Sequence, residues 1–94
     1  MPRQSKESIT PEKAFAQVLR EVRLERGLSQ EGLGFESGYH RTYIGMLERG
    51  LMNPSVRTVF SLASALKVPP DELIRRVYAV LGPNWKRERQ VRVK

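Results

Sequence analysis

"SQEGLGFESGYHRTYIGMLERG", residues 29–50, reads as two short helices around a glycine-containing turn. Ser29 is the first N-cap candidate, with Gln30 and Glu31 behind it where a helix start favours an acceptor and a carboxylate. Leu33 anchors this helix, roughly Gln30–Glu36, with Phe35 at its margin. Gly32 and Gly34 each cost about 1 kcal/mol relative to alanine, so packing must hold so short a helix. Ser37-Gly38 is the break, and a second helix runs from about His40 to Glu48 or Arg49, ended by Gly50. Two short helices joined by a turn of three or four residues form a helix-turn-helix. Leu33, Ile44 and Leu47 are expected to face inward, Gly34 to lie at the closest approach, and Gly38 to need a positive φ. His40, Arg41, Thr42 and Tyr43 then form a polar front. Packing offers no reason for Arg41, Thr42 and Tyr43 to stand together.

Helical signals flank this core on both sides. Upstream, Thr10-Pro11-Glu12 is a helix start, followed by Phe15, Val18, Leu19 and Val22 at i, i+3, i+4 and i+7 and closed by Gly27 in a left-handed conformation. Downstream, Asn53-Pro54-Ser55 breaks the chain and Ser55 caps a fourth helix, with an expected stripe of Val56, Val59, Phe60, Ala63 and Leu66. Pro69-Pro70-Asp71-Glu72 starts a fifth, ended by Gly82-Pro83. Its apolar surface is broader than one core contact requires. Leu73, Val77 and Val80 make one stripe, and Ile74, Tyr78 and Leu81 another. The reading is a compact all-α, five-helix domain over residues 10–82, with a loose arm at 1–9 and a basic tail at 83–94. The only alternating stretch, Gln90-Val91-Arg92-Val93, is short and charged. Trp85 stands alone among basic residues and is expected to dock on the fifth helix of its own chain or a partner's.

Composition narrows the function. The 94 residues include no cysteine, which excludes disulfides and thiolate metal sites, and one histidine, His40, cannot hold a metal alone. A Ser-His-Asp arrangement would have to join His40 to Asp71, the sole aspartate, across two helices, which argues against an enzyme. No metal or cofactor is implied. The polar N-terminus lacks the apolar core of a signal peptide, so a cytoplasmic location is expected. Net charge is +7, which favours an acidic partner such as nucleic acid. Residues 11–82 hold 10 basic and 8 acidic groups, whereas residues 83–94 hold 5 and 1.

The pattern Gln30-x-x-Leu33-Gly34-x-x-x-Gly38-Tyr39-x-x-x-x-Ile44-x-x-Leu47-Glu48-x-Gly50 resembles the Cro/repressor-type (Xre-like) helix-turn-helix family, which has a phage-repressor-like DNA-binding fold. "NPSVRTVFSLASALKV" and "DELI" follow in the family's order, so the resemblance spans about residues 14 to 75. "SGYHRTYI" and "ERG" further resemble controller proteins of restriction–modification systems, small dimeric autoregulators. Gly34 and Gly45 depart from the alanine and serine often found in such sequences.

The resemblance implies a transcriptional regulator, a repressor or autoregulator, whose third helix enters the major groove of double-stranded DNA. It places base contacts at Arg41, Thr42 and Met46, with Tyr43 and Arg49 added in controller-like members, and a backbone contact at Gln30. It also implies an ion pair between Arg23 and Glu48 inside the domain. The residues agree with the base contacts: Arg41 can fork onto guanine, and Thr42 offers a hydroxyl and a methyl. Phosphate contacts are expected to flank them at His40, Asn53, Ser55 and Arg57. A palindromic operator calls for a homodimer, and Leu73, Ile74, Val77, Tyr78 and Leu81 are its candidate interface. Two alternatives are an antitoxin that binds DNA and a partner protein through residues 83–94, and a helical interaction module without DNA binding.

Overall fold

A computed structural model describes residues 9–87. Residues 1–8, where an arm is expected, and residues 88–94, with the alternating stretch, lie outside the described residues. Five helices follow in order: α1 (Pro11–Glu25), α2 (Gln30–Ser37), α3 (Arg41–Glu48), α4 (Val56–Leu66) and α5 (Pro70–Leu81). Three start where a hydroxyl caps them. Thr10, Ser29 and Ser55 each accept the backbone N–H three residues on, satisfying a donor that the first helical turn leaves free. Among the described residues, no helix is long and apolar enough to cross a membrane.

α1 packs on α3 and α5, α2 packs on α3 and α4, and α4 meets α5. Leu19, Leu33, Ile44, Leu47, Leu62, Leu66 and Leu73 meet in the centre, all fully buried. Burying a leucine contributes about 1.5–3 kcal/mol, so Leu33 alone offsets much of what Gly32 and Gly34 cost the eight-residue α2.

Gly34 has a steric reason. A Cβ there would collide with the Tyr39 carbonyl oxygen and sit 3.3 Å from the Arg41 nitrogen. Gly38, at φ 85°, ends α2 in the left-handed region, and its N–H donates to Gly34 O at 2.8 Å. The turn to α3 is thus Gly38-Tyr39-His40.

Some expected packing is corrected. On α4 the buried set is Thr58, Leu62, Ala63 and Leu66, while Val56 and Phe60 are exposed at 74% and 58%. Thr58 can be buried because its hydroxyl bonds Tyr39 Oη and Ser55 Oγ, both at 3.0 Å. That selects the row Thr58-Leu62-Leu66 and turns the row Val56-Phe60 outward. Phe35 points into solvent rather than lying at a core margin. Trp85 lies outside its own chain's core cluster, with 39% of the residue exposed.

Candidate DNA-binding surface

α3 is two-sided. Ile44 and Leu47 are buried, Tyr43 and Met46 are half-buried, and Arg41, Thr42 and Arg49 are exposed. Its start is set by His40, whose Nδ1 accepts the Thr42 N–H at 3.0 Å. The ring proton therefore sits on Nε2, free to donate outward. Asp71 pairs with Arg75 at 3.0 Å within α5.

The back of α3 is locked to α1. Arg23 donates through Nε and Nη2 to the two Glu48 carboxylate oxygens at 2.6 and 3.0 Å, with side-chain exposures of only 8% and 3%. Its Nη1 donates to Leu28 O at 2.8 Å, so each of the three guanidinium nitrogens has a partner. The hydrogen bond to Glu48 raises the Arg23 pKa above its ordinary value, although burial works against the charge. This is the ion pair the resemblance implied. Gln30, expected at the DNA backbone, donates to Glu48 Oε1 at 3.0 Å and tethers α2 to the same carboxylate.

The sequence reading missed several polar partners. Glu31 lies 3.4 Å from Arg41, both exposed, so a carboxylate stands beside the foremost base-contact candidate. Tyr39, in the turn, stacks obliquely on Tyr43 of α3 with centroids 5.1 Å apart. Through Thr58, Tyr39 also connects the turn to the start of α4, where Asn53, Ser55 and Arg57 are exposed. On α5, Arg76 donates to both Glu25 oxygens of α1 at 3.1 and 2.9 Å. That hydrogen bonding lowers the Glu25 pKa below its ordinary value.

The five interface candidates separate. Leu73 and Val77 are buried in the chain's own core, because one stripe of α5 must close it, and Leu81 is half-buried. Ile74 and Tyr78 remain exposed at 48% and 57%.

α3 is thus polar outside and pinned inside, and the Helix-turn-helix family model (HTH_3) matches residues 19–73. The chain belongs to this family of non-enzymatic, DNA-binding transcriptional regulators. Within it, the chain is homologous to restriction–modification controller proteins. Control protein C.BamHI of Bacillus amyloliquefaciens is 43% identical over 61 residues, covering 64% of this chain and 75% of that protein. The solved controller protein C.AhdI of Aeromonas hydrophila superposes with a TM-score of 0.64 at 48% identity, covering 66% of this chain and 94% of that one. An arginine-to-alanine mutant of the controller C.Esp1396I gives a TM-score of 0.68 at 25% identity, covering 73% and 92%.

Proposed function

We propose that this regulator binds a palindromic operator in cytoplasmic double-stranded DNA as a homodimer, with α3 of each copy in the major groove, and acts as a repressor or autoregulator. The exposed face of α3 carries the reading. Arg41, Thr42 and Arg49 project from a helix whose opposite side is fixed by Ile44, Leu47 and the buried Glu48 carboxylate. A rigid helix of this kind can present a fork, a hydroxyl and a methyl to base edges. Met46 and Tyr43 flank that face. His40 through Nε2–H, Asn53, Ser55 and Arg57, all exposed, would take phosphates beside it, and Gln30 would join them by releasing Glu48. Solved mutants of C.Esp1396I replace an arginine, the threonine after it and the tyrosine after that, the same residue types in the same order as Arg41, Thr42 and Tyr43. Ile74 and Tyr78 on α5 supply a second apolar stripe for a symmetry mate. A twofold pair can then place two recognition helices one DNA turn apart, roughly 34 Å.

The test starts with selection of an operator from random DNA. Arg41→Ala is expected to lose about 1–3 kcal/mol on that operator and little on random DNA, relaxing one base pair per half-site. Arg57→Ala is expected to weaken all sequences alike and lower the salt slope by roughly one unit. Equal losses on operator and random DNA for both variants would refute base reading by Arg41.

A further inference from the structure

Gly45, half-buried beside the exposed residues of α3, carries no side chain. Gly45 lies four residues after Arg41, three after Thr42 and four before Arg49, the spacings that make helix residues surface neighbours. Among the described residues, no neighbour requires a glycine there. Its φ is not in the left-handed region, unlike Gly38 and Gly50. A Cβ added to Gly45 would meet only Gln30 Oε1, at 3.5 Å, which is ordinary van der Waals contact. Gly34 is the contrasting case, since a Cβ at that position would strike the turn backbone. A helix-interior glycine costs about 1 kcal/mol relative to alanine, and α3 has only eight residues over which to absorb it. The fold tolerates this cost without gaining anything from it internally, so the reason for the glycine lies outside the monomer.

We infer that Gly45 is a specificity-determining clearance. The missing Cβ lets the α3 backbone lie directly against base edges, so that Arg41 and Thr42 on one side and Arg49 on the other engage the same few base pairs. The inference rests on the reading of α3 as the groove helix. An added methyl holds the helix off the bases, and a gap of about 0.5–1 Å already forfeits a quarter to a half of a van der Waals contact. The direct hydrogen bonds on both sides lengthen with it. A complex on random DNA, held through phosphates, has no such seating to lose.

The test compares Gly45→Ala with the wild-type chain in urea unfolding and in binding to the selected operator and to random DNA. The urea midpoint is expected to rise. Operator affinity is expected to fall roughly tenfold, equivalent to 1.4 kcal/mol, with random-DNA affinity unchanged. A variant that is more stable and binds the operator as tightly as wild type overturns the inference. So does an equal loss on operator and random DNA. A midpoint that falls also overturns it, by revealing an internal need for the glycine. Arg41→Ala measured alongside separates the two ideas: if it too leaves the operator preference intact, the reading of α3 as the groove helix fails as well.

Discussion

Replacing Glu48 by alanine isolates the interaction that fixes α3 to α1. The wild-type carboxylate accepts Arg23 Nε at 2.6 Å, Arg23 Nη2 at 3.0 Å and Gln30 Nε2 at 3.0 Å. With Glu48 gone, Arg23 keeps the Leu28 carbonyl but no counter-charge, at a site where its side chain is 8% exposed. Breaking a buried pair on one side costs about 3–5 kcal/mol, because the remaining charge is uncompensated. Ninety-four residues at roughly 0.05–0.15 kcal/mol each have about 5–14 kcal/mol of total stability. The loss is therefore a large share of the margin. At about 4–8 °C per kcal/mol for a domain of this size, the thermal midpoint falls by about 12 °C or more. Urea unfolding followed by helical circular dichroism measures the effect, with the slope checked for constancy. Arg23→Met combined with Glu48→Leu removes both charges at similar volume, and is expected to recover most of the loss. An unchanged midpoint for Glu48→Ala refutes the reasoning outright. A double variant as unstable as Glu48→Ala alone would assign the loss to packing rather than to a stranded charge.

Ile74→Glu places a charge on the exposed stripe of α5, leaving Leu73 and Val77 in the core, and is expected to turn the proposed homodimer into a folded monomer. Sedimentation of the wild type as a monomer at micromolar concentration, both free and on DNA, would rule the dimer out. Glu31→Gln removes the carboxylate 3.4 Å from Arg41 while keeping an acceptor. It is expected to strengthen binding to operator and random DNA alike, through relief of repulsion from phosphate, with little change in stability because exposed pairs contribute about 0–1 kcal/mol. Unchanged affinity at low salt would contradict that role. Because the folded-state pKa of Glu25 is lowered by Arg76, the pair stabilises the fold above the ordinary glutamate range and that contribution is lost as pH falls through the lowered value. Glu25→Gln should accordingly lose less stability than wild type between neutral and acidic pH; parallel urea midpoints across that range would show the pair to be inert.

Local chemistry was legible in the chain itself. Thr10, Ser29 and Ser55 announce helix starts because a cap bonds an N–H only three residues away. Leu33, Ile44 and Leu47, with Gly38 between them, define the helix-turn-helix because side-chain spacing and positive φ are properties of short segments. The polar front of α3 follows from the same spacing, since whatever is not on the Ile44–Leu47 side must face away from it. The Arg23–Glu48 pair was accessible only through family resemblance, as nothing local joins residues 25 positions apart. The rest depended on how helices cross. Periodicity pointed to Val56 and Phe60 as a core row, whereas Thr58 and Leu62 are buried, and Tyr39, 19 residues from Thr58, supplies a hydrogen bond that lets the threonine be buried. Glu31 beside Arg41 and Arg76 across Glu25 likewise arise from helix placement. A helix sequence shows which residues share a face. Which face meets which neighbour is set by the packing of all five helices together, because each buried polar group must find its partner in another element.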